Sequence, residues 1–592
     1  GEQIVGRPLL PREPQGHNYR RGNMAILTEC RTIPELFAAR VQSDAKRTAL
    51  WYKRGGEFQP LTWREISQRV SCLASMLTQF GVRLGDRVAL LSENRLEWVL
   101  ADLAIQSLGA INVPIHAPLT GEQIGWQIVD SGARVVLVSG PAQSTKLAEL
   151  KHAHKELVFV EFDTDPNMPR APGVFPSLLE GIHSFLDRLG EHGKSLPPTN
   201  DPGLDPTSVA TILYTSGTTG EPKGVMLTQA NLISNAVSTV EMFRADDNPP
   251  RVDYSDKVRL NFLPLSHIFA RTCDLYIWLV EGSQLAIAES RETVLADAAA
   301  TKPTFMNGVP YFYDRVRRGL EEKGLAQQPG ILRQLLGGRI EQCCSGGAAL
   351  PEHLFDYYFS QDVPLLQGYG LSESSPVISI STQKTVRRGS AGKSIPGIEI
   401  KIAEDSEILT RGPHVMPGYY KNPTATAEII KDGWLYTGDY GRIDEDGFLY
   451  ITGRKKEIIV TSGGKNVAPV YLESLLTQDP LFLQALVIGD SRNYLTALLV
   501  TNNEALQATA ATQGIAVESE ASLHSHLQVL ALMQERVNRR LACVSSFEQV
   551  RKITLLPRPF TIEAGEMTAK LSLRRKVIEA NYAAEIEAMY RK

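Results

Sequence analysis

The order of apolar and polar positions predicts alternating strands and helices along the first half of the chain. "RVALLSENRLEWVLADLAIQSLGAINVPI", residues 87–115, reads as strand, helix, strand, and "RVVLVS" at 134–139 as a further strand. Short apolar runs separated by helical segments are the pattern of a parallel sheet with helices on its faces. "SVATILYT", residues 208–215, reads as a buried strand, and "LTQANLISNAVSTVEMF" as a helix with Thr228 at its N-cap. The stretch 176–207, rich in Gly, Pro, Asp and Ser, reads as helix plus loop, and "RADDNPPRVDYSD" from Arg244 as an exposed excursion. After residue 380 short β-like pieces alternate with turns, as in "IEIKIAEDSEILTRG" and "GFLYITG", which predicts a β-rich subdomain. From Arg454 a new unit begins, with strands in "EIIVTSGG", "ALVIGD" and "YLTALLVTN" and helices at about 469–477 and 522–541. The expected fold is therefore α/β. A large N-terminal domain, 31–453, combines layered α/β subdomains with a β-rich one, and a small α+β C-terminal domain, 454–592, follows. The charge-dense "GRKKE" marks the boundary and a candidate hinge, and residues 1–30, polar and proline-bearing, read as a loose leader.

Composition narrows the setting. The chain has 592 residues, room for several cores, and a formal net charge of −4, which offers no global basic field for nucleic acid. No apolar run reaches the roughly 18 residues of a membrane span; the longest candidate is interrupted by Asp102, Gln106 and Asn112. The N-terminal stretch lacks a secretory pattern, so a cytoplasmic protein is expected. The six cysteines form no C-x-x-C motif, and the vicinal Cys343–Cys344 pair does not suit a zinc knuckle, so buried reduced thiols are expected.

The candidate chemistry starts at "YTSGTTGEPKGV", residues 214–225. Gly217, Gly220 and Gly224 permit close backbone approach to a ligand, and successive N–H groups make an anion-binding concavity. Thr215, Ser216, Thr218 and Thr219 add hydroxyls and Lys223 adds a point charge, so the loop suits a polyphosphate. Strand, glycine loop, helix is the expected layout. Lys223 follows Pro222 and precedes Gly224, which excludes the G-K-[ST] of a Walker A loop, and G-x-G-x-x-G is missing here. Four further stretches concentrate polar groups: "QGYGLSESSP" with Tyr369, Gly370, Ser372 and Glu373; "YTGDYGRIDEDG" with Asp439; "GRKKEIIVTSGGKNVAP" with Arg454, Lys456, Gly463 and Gly464; and "MTAKLSLRRK" with Lys570. Taken alone, Tyr369 reads more often as core than as a base-stacking platform, Asp439 more often as a turn residue than as a ribose ligand, and Glu373 as a surface carboxylate or helix cap.

Together and in this order, these stretches resemble the adenylate-forming superfamily of acyl-CoA synthetases, peptide-synthetase adenylation domains and luciferases, from about residue 30 to the end. "FLPLSHIFAR", "SGGAALPE" and "RPFTIEAGEMTAKLSLRRKVI" are most similar to the long-chain fatty acyl-CoA synthetase branch. The resemblance implies that ATP and a fatty acid give an acyl-adenylate and pyrophosphate, and that a thiol, coenzyme A or an acyl carrier protein, then releases AMP; a ligase that stops at the acyl-adenylate is the alternative. It implies that Thr215 to Lys223 hold the β/γ-phosphates. Glu373, with Thr215, would bind Mg²⁺. Tyr369 would stack on adenine opposite Gly346, Gly347 and Ala348, while Asp439 would accept from the ribose hydroxyls and Arg454 would reach the same ribose or a phosphate. His267 would sit at the gate of the acyl tunnel. Lys456 matches the hinge of a C-terminal domain that rotates between half-reactions, and Gly463–Gly464 the thiol channel. Ser372 stands where relatives have Thr. The catalytic lysine divides two patterns: without a gap the long-chain pattern falls on Ser572, whereas "TAKLSLR" fits the luciferase-like pattern and selects Lys570. The resemblance also implies a lipid-derived substrate and hence peripheral membrane contact, and leaves a catalytically inactive scaffold as the remote alternative.

Overall fold

Continuous apolar strands require cover on both faces, and the computed structural model shows how the chain provides it. The structure describes residues 4–5, 30–163, 174–175, 204–215, 222–247, 250–251, 253–455, 457–463, 465–516, 520–561, 564–567 and 573–591. An eight-stranded sheet runs Gly418–Tyr419, Lys223–Thr228, Val209–Thr215, Ile111–Ile115, Arg87–Leu91, Val135–Val138, Val158–Glu161, Val174–Phe175. Its pairs are parallel from Val209–Thr215 onward and antiparallel before it. A nine-stranded sheet has a parallel centre, Gln284–Ile287, Val258–Asn261, Phe305–Gly308, Gln342–Ser345 and Leu365–Gly370, with antiparallel pairs at both ends. The expected α/β layering is thus observed.

The helix Leu96–Ser107 is buried along its whole length, which its nearly all-apolar sequence allows. Its polar exceptions are resolved by partners. Asp102 accepts from Arg271 Nη2 at 2.5 Å, Tyr276 Oη at 2.9 Å and Asn112 Nδ2 at 2.7 Å. Arg271 Nη1 also donates to Thr211 Oγ1 at 2.7 Å, and Gln106 Nε2 to the Ala210 carbonyl at 3.0 Å. This network ties the helix, the strand Val209–Thr215 and the π-helical turn Arg271–Tyr276 together.

One expectation is corrected. The glycine loop does not lead straight into a helix. Lys223–Thr228 is a strand antiparallel to Val209–Thr215, and the helix Gln229–Arg244 starts after it, with Thr228 at its N-cap as expected and Asn231 completing a capping box. The loop therefore caps a β-hairpin.

The β-rich part after residue 380 is a six-stranded sheet that contains Glu399–Ile402, Glu407–Arg411, Trp434–Ile443 and Leu449–Arg454. Inside the expected leader, Ile4 and Val5 pair with Lys401 and Ile400 on its edge. Further on, Phe482–Ile488, Leu495–Thr501 and Val550–Leu556 form a three-stranded sheet flanked by helices Pro469–Leu476 and Leu527–Arg540. Buried apolar side chains form one large cluster that reaches Leu449, a second beside it, and two more that begin at Ile459 and Leu486. Of the cysteines, Cys72, Cys273, Cys343 and Cys344 are buried as expected, but Cys30 is half-buried and Cys543 exposed. Among the described residues no helix is long and apolar enough to cross a membrane.

Candidate functional site

The hairpin closes on the register pair Thr215 and Lys223, with Thr215 Oγ1 donating to the Lys223 carbonyl at 3.4 Å. Ser216, Gly217, Thr218, Thr219 and Gly220 lie outside the described residues. The Lys223 ammonium stands 5.1 Å from the Tyr419 ring centre, and Tyr419 Oη donates to Glu373 Oε1 at 2.8 Å. Burial, and then the Glu373 charge, push the Tyr419 phenol well up, so it remains a donor. Tyr419 thus joins the hairpin cation to the candidate metal carboxylate. Sequence reasoning missed it; the signal is the aromatic pair in "PGYYKNP", which ends on the edge strand beside Val225 and Met226.

Glu373 sits on the one-turn helix Ser372–Ser374, and its carbonyl accepts from Met416 N at 2.9 Å. The long helix after the hairpin pins this turn. Asn235 Nδ2 donates to the Val377 carbonyl at 2.7 Å, and Asn231 Nδ2 to the Pro413 carbonyl at 2.7 Å. Ser375 Oγ donates to the His414 carbonyl at 2.8 Å, and the His414 ring lies 2.9 Å from Thr410 Oγ1. Burial pushes the His414 imidazole down to about 3.

A second cluster forms across the register of the β-rich sheet. Asp439 and Arg454 face each other on paired strands, with Arg454 Nε 2.9 Å from Asp439 Oδ1. Tyr369 Oη donates to Asp439 Oδ2 at 2.8 Å. Burial raises the Asp439 carboxyl and Arg454 opposes it, while burial and then Asp439 hold the Tyr369 phenol protonated. The structure therefore brings three of the expected nucleotide residues into one chain of contacts. Gly370 is obligatory beside them: a Cβ there would lie 1.7 Å from the Pro376 carbonyl oxygen.

Beside Tyr369 and Gly370, against the nine-stranded sheet, lies a cavity. His267, Gly346, Gly347, Tyr369, Gly370 and Ser372 line it, and Phe243, Ile268, Phe269, Ile277, Val377 and Ile380 supply much of its apolar wall. His267 Nδ1 accepts from Phe269 N at 3.2 Å, so the histidine caps a helical turn and also faces the cavity. A Cβ on Gly346 would stand 3.0 Å from the Phe269 ring, which explains glycine there. Ala348 is exposed and is not part of this lining. Gly463 lies in an exposed turn, and Lys456, Gly464 and Lys570 fall outside the described residues.

Helix-flanked sheets, a glycine-loop hairpin and a smaller C-terminal α/β unit define an adenylate-forming enzyme. The chain belongs to the AMP-binding enzyme family, matching its main domain over residues 37–420 and its C-terminal domain over 456–592. It is 35% identical over 590 residues to the long-chain-fatty-acid–CoA ligase FadD15 of Mycobacterium bovis, covering 91% of this chain and 93% of that one. It is 27% identical to the long-chain-fatty-acid–CoA ligase ACSBG2 of Xenopus laevis, covering 94% and 84%. The adenylation domain of a carboxylate reductase from Mycobacterium chelonae shares the fold, with a TM-score of 0.75 at 24% identity over 96% of this chain and 92% of that one.

Proposed function

We propose that this chain is an ATP-dependent long-chain fatty acid–CoA ligase, which forms an acyl-adenylate and then an acyl thioester with release of pyrophosphate and AMP. Curated relatives that match over nine-tenths of the chain carry that name. The observation that carries the reading is the junction of two environments. Tyr369, Gly346 and His267 line a largely apolar cavity, and Tyr369 is itself bonded to Asp439. The charged cluster of Lys223, Tyr419 and Glu373 lies on the hairpin and its edge strand.

An anionic carboxylate must approach an anionic α-phosphate, so the protein's work is positioning and charge compensation. Residues 215–223 receive the β/γ-phosphates in this reading, with Lys223 as point charge. Asp439, an acceptor when ionised, takes the ribose hydroxyls, and Arg454 exchanges part of its Asp439 contact for the nucleotide. Tyr369 packs on the base opposite Gly346, Gly347 and Ala348. His267 shapes the entry of the acyl chain.

For Mg²⁺ the donor set fits. Glu373 is a hard-oxygen ligand with one oxygen engaged by Tyr419, and Thr215 adds a hydroxyl. Among the described residues no cluster of three or more His, Cys, Asp or Glu forms a protein-only cage, as suits an ion that shares its ligands with substrate phosphates. When bound, the ion would neutralise phosphate charge; Glu373 and Thr215 would hold it.

The division at 453–456, the hinge at Lys456, the thiol channel at Gly463–Gly464 and catalysis by Lys570 belong to the same proposal. So does supply of the lipid substrate from a membrane surface. Pyrophosphate exchange screened across acyl chain lengths tests it, with CoA and holo-carrier protein compared as acceptors. Exchange that depends on long-chain acid, with AMP formed only on adding CoA, is expected. Turnover with carrier protein alone would reassign the acceptor, and absence of exchange with every acid would sink the reading.

A further inference from the structure

One stretch of the cavity wall, away from Gly346 along the sheet, is not apolar. Three strands of the nine-stranded sheet bring Arg259, Phe305 and Gln342 into register as one row across the sheet, and all three line the cavity. Gln342 lies four residues before Gly346, so this row sits about 13 Å along the strand from the glycines that the ligase reading places beside the base. Gln342 and Arg259 are each only 5% exposed. Gln342 Oε1 accepts from Gln383 Nε2 at 3.1 Å, which fixes the amide. Its Nε2 has no hydrogen-bond partner among the described residues beyond the weakly accepting Cys344 sulfur. Arg259 donates Nε and Nη2 to the Glu281 carboxylate, at 3.0 and 2.8 Å, and Nη1 to the Cys273 carbonyl at 3.2 Å. A guanidinium carries five N–H donors, so two remain.

A buried donor without an acceptor costs about 1–3 kcal/mol, and a plain hydrocarbon tail would leave it so. We infer that the row of Arg259 and Gln342 reads an oxygen on the distal part of the acyl chain, so that the preferred substrates are hydroxy or oxo fatty acids. This inference rests on the ligase reading above and deepens it. The oxygen is a neutral one. Arg259 is already paired with Glu281 on its own side, and the buried Asp274 carboxylate, held by Asn261 and Asn307, lies close by. A second carboxylate at the chain end would add negative charge where Glu281 already matches Arg259 and Asp274 stands near.

The test is ATP–pyrophosphate exchange on the full chain with matched sets of acids. Each set pairs a saturated acid with hydroxy and oxo acids of the same length, the oxygen moved stepwise from the carboxyl end, plus the dicarboxylic acid. For a narrow band of distal positions, the oxygenated acid is expected to exceed its saturated counterpart in kcat/KM by roughly tenfold or more. In Gln342→Met that ratio falls towards one, chiefly through KM, and thermal melting checks that the variant is folded. Equal kcat/KM at every oxygen position in the unaltered protein overturns the inference, and needs no variant to do so. A preference that survives Gln342→Met, or one for the dicarboxylic acid, overturns it too. Exchange with saturated acids alone leaves the ligase reading standing while removing this one, whereas no exchange with any acid removes both.

Discussion

Asp439 is 2% exposed and bonded on both oxygens, to Tyr369 and to Arg454. Its partners differ in what they lose if it changes. The Arg454 side chain is 53% exposed and can turn to water, whereas Tyr369 is half-buried and lines the cavity. Asp439→Asn is therefore expected to raise the KM for ATP about tenfold or more, with a smaller effect on the KM for acid; steady-state kinetics in each substrate checks this. His414 gives a stability signature of its own. Its imidazole is held at about 3 by burial, below the ordinary 6.5, so the unfolded chain takes up the proton first. Stability is full above about 6.5 and falls as pH drops from there towards 3, with no further loss from this group below. The loss is on the order of a few kcal/mol at most. Denaturant midpoints at pH 7 and pH 5 should diverge in the native sequence and lie closer together in His414→Gln, which can retain the bond to Thr410; burial also holds His116 down, to about 4, and that group keeps part of the gap open.

At the scale of elements, the hairpin is held by what lies behind it. The strand that leads into the glycine loop is tied through Thr211 to Arg271, and Arg271 to Asp102, a pair with both side chains fully buried. Arg271→Leu leaves Asp102 without its countercharge and is expected to cost about 3–5 kcal/mol; equilibrium unfolding measures it. Replacing both, Arg271→Met with Asp102→Leu, should cost less than the single change, because no unpaired charge remains. Gly370→Ala drives a methyl into the Pro376 carbonyl and should lower both the melting temperature and nucleotide binding. These elements were unevenly legible. The parallel strands at 87–91 and 111–115 could be read because continuous apolar runs have few other uses. Asp102, Gln106 and Asn112 could be read only as interruptions of an apolar run, since their partners come from distant parts of the chain. The second hairpin strand was hidden because Lys223 and Gly224 open it, residues poor in strand propensity, and a strong helix pattern follows directly. Motif order could point to Tyr369, Asp439 and Arg454 singly. Their mutual contact depends on sheet register, which spacing does not encode.

Across the whole molecule, the stretch that carries the candidate lysine is framed by firm neighbours. Met567 and Leu573 form an antiparallel bridge, Arg574 N donates to the Glu566 carbonyl at 2.7 Å, and the fully buried Glu566 carboxylate accepts from Arg558 at 2.8 Å. Lys570→Ala should accordingly leave the fold intact and lower adenylation by several orders more than thioester formation from added acyl-adenylate. Equal loss in the two half-reactions would show that another group, with Ser572 the first to examine, marks the working position. The clusters of buried side chains carry a consequence for how the chain could be divided. Among the described residues, the clusters of buried apolar side chains fall on one side or the other of residues 455–457, so a fragment ending near 455 and another starting near 457 each keep clusters of their own. Co-expressed, they should fold independently and restore turnover by complementation, at a rate that climbs with fragment concentration. The intact peptide connection acts as a tether, whose millimolar local concentration two free pieces can approach only at high dose.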